Sequence, residues 1–268
     1  MALTTDLVLK ELNYFLTPTH HCSYIKELNA QMIFLDPKQP VTTQLLSKLS
    51  RAGFRRSGDF IYRPECQLCK QCLSCRLVVQ DFLPNSKQKK AIKRNKDLTY
   101  HIRKVEDMNE IHYALYEKYI QIRHADGDMY PPSREQFDNF LKISCTDTFA
   151  LELWDEQQLI CVAVCDYLDD GISAVYTFFD PDQQHRSLGV YSIISLIEYT
   201  KKLNLDYIYL GYWVPHAKKM RYKSDYQPLE VFLEERWYKL ASNFDEKALY
   251  ELGNSLMIPT TEIDGEKA

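Results

Sequence analysis

A chain of 268 residues with 45% hydrophobic and 26% charged side chains can build one large domain or two small ones, which excludes a disordered chain. It lacks a run of about 18 apolar residues, so no membrane-spanning helix is expected, and its start, MALTTDLVLKELNYF, lacks the basic-then-apolar order expected of a secretory signal. A formal net charge of -4 argues against general nucleic-acid affinity, so any phosphate contact must come from local basic patches.

In chain order, AQMIFLD (30–36) has the composition of a strand. Residues 41–52 place apolar side chains at helical spacing and stop at Gly53. Residues 54–63 predict a hairpin turning at Ser57-Gly58-Asp59, and RLVVQDF (76–82) predicts a further strand. The run SKQKKAIKRNK (86–96) is expected to be helical, and 100–104 a strand that closes a first α/β unit near residue 105. A helix is expected at 107–123, and Ser133 with Gln136 gives a capping signal for another. Strands follow at 148–154, 159–167 and 172–179, with Asp169-Asp170-Gly171 as a turn, then a helix over 187–203 and a strand over 206–213. Periodicity predicts α/β (α+β) with a mixed sheet. The order helix, helix, three antiparallel strands, helix, strand resembles the N-acetyltransferase-like (GNAT) architecture. The expected organisation is a smaller N-terminal domain over 1–105, a transferase domain over 106–240, and a polar tail over 241–268 that is disordered at its end.

Cys66, Cys69, Cys72 and Cys75 stand in unbroken C-x2-C spacing, with Cys22 as a remote candidate ligand. Two readings stand side by side: a bound metal ion or iron–sulfur cluster, and free thiols in a compact loop. Arg63, Lys70 and Arg76 are nearby in sequence and are expected to lower the thiol pKa values. Cys145, Cys161 and Cys165 fall in helix or strand patterns and are read as buried apolar side chains.

Two basic patches are candidates for phosphate contact. The first holds Lys87, Lys89, Lys90, Lys93, Arg94 and Lys96, of which Lys89, Lys93 and Lys96 share a helical face. The second, Lys218, Lys219, Arg221 and Lys223, follows the aromatic pair Tyr212-Trp213. A solvated surface helix and a basic loop are the blander alternatives. Arg186-Ser-Leu-Gly189-Val-Tyr191 resembles the glycine turn with which GNAT acetyltransferases cradle pyrophosphate at a helix N-terminus. Tyr191 replaces the last small residue, which disfavours coenzyme A and favours another phosphate-bearing donor such as a charged tRNA.

CSYI (22–25), GFRRSG (53–58), YRPEC with the cysteine series (62–75) and PNSKQKKAIKRN (84–95) are joined by RHADGDMYPPS (123–133), AVYTFFDPD (174–182), RSLGVYSI (186–193) and YLGYWVPHAKKMRYKSDYQPLE (209–230). Together these segments resemble the bacterial aspartate/glutamate leucyltransferases, relatives of the arginyl-tRNA–protein transferases, over most of the chain. The resemblance implies a cytoplasmic enzyme that moves leucine from Leu-tRNA to the α-amine of proteins beginning with Asp or Glu, giving a degradation signal. It also implies a cysteine-bearing N-terminal domain and a GNAT-like C-terminal domain. The eukaryotic relatives carry a CGYC-like pair where this chain has CSYI, so an iron–sulfur cluster would need the other cysteines.

An aminoacyl ester is already activated, so the reaction needs placement, a modest proton acceptor and donors for an oxyanion. His124, Asp126 and Asp128 are candidate proton handlers, or else a structural turn. Tyr176 and Tyr212 are candidates to contact the ester, Gly189 to contact the donor, and Asp180 to bind substrate or cap a helix. Arg76, Arg123 and Lys223 are candidates to hold the acceptor carboxylate. Rival readings are an arginine donor, an acyl-CoA N-acyltransferase, and a non-catalytic RNA-binding or redox-sensing protein.

Overall fold

In the computed structural model, residues 9–127, 129–144, 146–215, 217–241 and 257–259 are described. The segments Tyr14–Leu16 (β1), His20–His21 (β2), Asn29–Ala30 (β3), Met32–Leu35 (β4), Arg55–Ser57 (β5) and Phe60–Pro64 (β6) are short strands. Four of them form an antiparallel sheet in the order β1-β4-β6-β5. Helix α1 (Thr43–Arg51) begins where the Thr42 side chain accepts the N–H of Leu45, and it buries Leu46 and Leu49 against this sheet. The predicted hairpin is present and turns at Gly58 and Asp59.

Leu73–Val78 (β7), Thr99–Lys104 (β8), Thr148–Asp155 (β9), Gln158–Tyr167 (β10), Gly171–Phe179 (β11), Tyr207–Trp213 (β12), Leu229–Leu233 (β13), Arg236–Leu240 (β14) and Met257–Pro259 (β15) form one sheet of nine strands. Their order is β15-β14-β13-β7-β12-β11-β10-β9-β8, so strands from both sides of residue 105 share it. The β11–β12 pair is parallel and the sheet is mixed, as periodicity predicts. Strand β7 starts at Leu73, earlier than the apolar run suggests, because β12 and β13 pair with it from both edges. The segments after 213 carry little local signal: a 3-10 helix at Lys218–Asp225, then β13 and β14. Strand β15 falls within the polar tail and pairs with β14; the end of that tail, where disorder is expected, lies outside the described residues.

Helix α2 (Ser86–Arg94), capped reciprocally by Asn85 and Gln88, packs with α5 (Leu188–Lys202). The α5 side of the sheet holds a core of Leu77, Leu151, Ile172, Leu196, Ile208 and Trp213. Helix α3 (Glu110–Arg123) and the short α4 (Arg134–Phe137) pack Tyr116, Ile120 and Phe137 against Val162, Val164 and Phe178. The N-terminal unit docks through Leu49, Phe54 and Ile61 on Tyr209 and Leu168. The helix, helix, three antiparallel strands, helix, strand order is that of a GNAT-like domain.

Strands β11 and β12 pair only over Gly171–Ser173 and Tyr207–Tyr209, then part. A side chain at Gly171 would strike the Tyr207 carbonyl at 2.2 Å, so only glycine lets the pair close there. Strand β12 then bulges against β7 between Tyr209 and Tyr212, where Gly211 takes φ +79. The parted strands leave a wedge in the middle of the sheet.

Candidate functional site

A cleft of about 520 Å³ lies between the N-terminal unit and the large sheet. Cys22, Tyr24, Tyr62, Cys66, Cys69, Cys72, Ser74 and Tyr212 are among its walls, with Glu234 and Glu235 from the β13–β14 turn. The fold therefore gathers Cys22 with Cys66, Cys69 and Cys72. Cys75 belongs to β7, is fully buried, and donates its thiol to the Gly211 carbonyl at 3.4 Å. The sulfur of Cys22 accepts the N–H groups of Tyr24 and Ile25, and that of Cys66 accepts the N–H of Gln31, each at 3.4 Å.

The expectation of lowered thiol pKa values is overturned at two positions. Burial, with Cys66, Cys22 and Cys69 alongside, pushes the Cys72 thiol up to about 12. Burial also raises Cys75, against the pull of Lys223 and Arg55. The nearby cations are already neutralised: Arg63 and Lys70 hold Glu65 at 3.0 and 2.8 Å, and Arg76 holds Glu230 at 2.7 Å. Four thiols are a suitable donor set, yet among the described residues no three His, Cys, Asp or Glu side chains converge closely enough to hold a metal ion. Cys161 and Cys165 are fully buried apolar packing residues, as expected; Cys145 lies outside the described residues.

Around the wedge, His124 ends α3 and its Nε2 meets the Tyr119 hydroxyl at 3.2 Å. Burial, then Lys219 and Arg123, hold its pKa below the ordinary histidine value, so the ring is neutral at pH 7. Asp126 is exposed and faces Lys219 at 4.0 Å; Asp128 lies outside the described residues. Among the described residues the buried Tyr176 hydroxyl has no hydrogen-bond partner, and burial raises its pKa, so it remains a proton donor. Tyr212 donates its hydroxyl toward the carbonyls of Gly53 and Tyr62 at 2.9 and 3.0 Å, tying the N-terminal unit to β12. Lys223 is buried, and its ammonium donates to the Tyr212 carbonyl beside Gly211.

Of the three candidate carboxylate binders, Arg76 is bound to Glu230 and stacked 3.6 Å from the Tyr207 ring centre and 4.2 Å from Trp237, which engages its guanidinium on every side. Arg123 is exposed. Asp180 caps the 3-10 helix Pro181–Arg186, accepting the N–H of Asp182 at 3.1 Å, and pairs with Lys118 at 2.6 Å. Sequence reasoning does not single out Arg55, which lies in the GFRRSG segment. It is buried beneath Tyr209 and Tyr212, and its guanidinium donates to the Ser74 hydroxyl oxygen. Two consecutive arginines within a strand are the available signal, since neighbours in a strand face opposite ways and both need a partner.

On the α5 side, Lys87, Lys89, Lys90, Lys93, Arg94 and Lys96 are all exposed. Arg94 donates to the His185 carbonyl at 3.0 Å, and Arg186 bridges Asp97 and Asp155 at 2.8 and 2.9 Å. These bonds fix the basic helix beside the start of α5, where Ser187 adopts φ +57 and Gly189 packs its backbone against Phe179. The free N–H groups and dipole of that helix start favour an anion. Lys218 and Lys219 are exposed on the 3-10 helix that follows β12.

The N- and C-terminal family models described as arginine-tRNA-protein transferase match residues 20–90 and 111–233. A protein named aspartate/glutamate leucyltransferase from Acinetobacter baumannii is 58% identical over 250 residues, covering 93% of this chain and 92% of that protein. One of the same name from Pseudomonas aeruginosa is 49% identical over 232 residues, covering 87% of this chain and 98% of that protein. Among solved structures, the C-terminal domain of a putative lysylphosphatidylglycerol synthetase from Agrobacterium fabrum is 12% identical, with a TM-score of 0.45 over 80% of this chain and 69% of that one.

Proposed function

The chain belongs to the arginine-tRNA–protein transferase family, and from that premise we infer that it is an aminoacyltransferase that moves leucine from Leu-tRNA to proteins whose first residue is Asp or Glu. The observation that carries this reading is the 58% identity to an aspartate/glutamate leucyltransferase over 93% of the chain. The α-amine nitrogen of the acceptor attacks the ester carbonyl carbon. A C–N bond forms, the ester C–O bond breaks, and the tRNA leaves with a free terminal hydroxyl that takes up a proton in place of the one lost by nitrogen. A charged-tRNA donor makes the reaction a cytoplasmic one, and the new N-terminal leucine marks the product for degradation.

The parts of the site support a division of labour. The exposed lysines of α2, with Lys218 and Lys219, follow the phosphate backbone of the tRNA. The start of α5 at Gly189 takes a phosphate near its 3′ end. The wedge takes the ester, with the Tyr176 hydroxyl as an oxyanion donor and neutral His124 as the proton acceptor. The large cleft takes the acceptor peptide. The amine need only lose one proton near neutrality, its ordinary pKa being about 7.7–8.0, so placement carries most of the rate.

Mass spectrometry of peptides incubated with protein and Leu-tRNA tests this reading. One added leucine on peptides beginning with Asp and Glu, and none on Ala, is the expected result. Addition to all three removes the acidic acceptor, and addition to none removes the activity.

A further inference from the structure

Two other buried arginines, Arg56 of β5 and Arg76 of β7, have carboxylate partners: Arg56 meets Asp166 at 2.7 Å, and Arg76 meets Glu230 at 2.7 Å. Arg55, only 4% exposed, is different. It donates to the carbonyls of Ser50, Phe54 and Cys75 at 3.1, 2.5 and 3.5 Å and to the Ser74 hydroxyl oxygen. Among the described residues its buried Nε has no partner and no carboxylate pairs with its guanidinium. Lys223 is a second buried cation nearby, bonded to a backbone carbonyl and with no carboxylate partner among the described residues. Buried charge without a counter-ion is costly, and two such charges together favour an anion brought from outside.

Ser74 connects that charge to the cleft. Ser74, 3% exposed, is one of the residues of the cleft wall, and its hydroxyl oxygen is engaged by the Arg55 guanidinium. Among the described residues the Ser74 hydroxyl donates to nothing, so its proton is available to a ligand. A hydroxyl whose oxygen accepts from a cation is a stronger donor. The carboxylates of the cleft do not compete for it: Glu65 is held by Arg63 and Lys70, and Glu234 and Glu235 stand at the turn beyond β13.

Resting on the leucyltransferase reading, we propose that the Ser74 hydroxyl, held and polarised by Arg55, hydrogen-bonds the side-chain carboxylate of the acceptor's first residue, with Lys223 adding to the positive potential. Ser74 touches the substrate; Arg55 is a positioning residue that acts through it. This subsite distinguishes Asp from Asn and Glu from Gln by charge at nearly constant shape.

The test is binding of fluorescent peptides beginning with Asp or Asn to the full chain, without tRNA, for wild type, Ser74→Ala and Ser74→Asp. Wild type binds the Asp peptide more tightly by about tenfold or more, the size of a hydrogen bond to a charged group. Ser74→Ala loses most of that preference while keeping its affinity for the Asn peptide. Ser74→Asp supplies Arg55 with an internal carboxylate, keeps its melting temperature, and loses the preference altogether. A wild-type protein without preference, or Ser74 variants that retain it, overturns the proposal. Leucine transfer by wild type is measured alongside. Absent transfer with intact Asp preference overturns the leucyltransferase reading and leaves the subsite standing; transfer with unchanged preference in both variants does the reverse.

Discussion

Replacing Glu152 by Gln keeps the shape of a fully buried side chain and removes its charge. The carboxylate sits in β9 and accepts from His112 Nε2 at 2.8 Å, from Trp154 Nε1 at 2.8 Å, and from the Arg103 guanidinium. Burial alone would raise its pKa, but these donors hold it down to about 2, against an ordinary value of 4.5. At about 1.4 kcal/mol per pH unit that gap is worth about 3 kcal/mol at neutral pH; because Arg103 is 36% exposed and partly screened, about 2–3 kcal/mol is the expected loss. A carboxylate with a depressed folded pKa stabilises fully above its unfolded value and loses that contribution as pH falls through the folded one. The difference between wild type and Glu152→Gln should therefore be constant from pH 7 to about 5, shrink below 4.5, and vanish near 2. Urea unfolding across that range measures it. A difference under about 1 kcal/mol at pH 7, or one that does not change with pH, refutes the reasoning. The network also matters to the site, because His112 fixes the first turn of α3 and His124 ends the same helix.

Replacing Lys87, Lys89, Lys90 and Lys93 by Gln raises the KM for Leu-tRNA and leaves that for the acceptor peptide unchanged; removing one phosphate contact lowers the slope of log affinity against log salt by about 0.7–0.9. Equal effects on both substrates would take these lysines out of the tRNA interface. Tyr212→Phe removes the hydroxyl shared by the Gly53 and Tyr62 carbonyls and should cost about 1–2 kcal/mol by urea unfolding; an unchanged midpoint would show that this tie contributes nothing. With its thiol pushed up to about 12, Cys72 is almost wholly protonated at pH 8, so alkylation mapped by mass spectrometry should be slow there and still accelerating above pH 9. Rapid labelling of Cys72 at pH 7 contradicts that placement. His124→Gln should lower kcat without altering KM for the acceptor; an unchanged kcat returns His124 to the packing role its bond to Tyr119 also serves.

Local pattern reveals the elements whose signals are local. Helix α1 carries its own cap and glycine stop, α2 its Asn85–Gln88 box, and the β9–β10–β11–α5–β12 run its own periodicities. Strands β13 and β14 are legible only through their partners, since Leu229–Phe232 pairs with β7, about 150 residues earlier. The same non-local pairing extends β7 back through Ser74 and Cys75 and so withdraws Cys75 from the cysteine cleft. Thiol acidity is misread from sequence because the burial that raises Cys72 and Cys75 is set by tertiary packing, and because the cations nearby in sequence, Arg63, Lys70 and Arg76, are paired with Glu65 and Glu230. Arg76 and Arg55 have the same ambiguity in sequence; only tertiary packing shows that, among the described residues, one has a carboxylate and the other does not. The family is legible because long ordered segments match, whereas a proton acceptor is decided by the burial of single atoms.

The most direct measurement supplies labelled leucyl-tRNA, arginyl-tRNA and acetyl-CoA separately to the protein with one peptide beginning with Asp. Leucine appearing on the peptide α-amine, with neither arginine nor acetyl transferred, is the outcome this account predicts. Arginine in place of leucine contradicts the donor while keeping the family, and acetyl transfer contradicts the account itself.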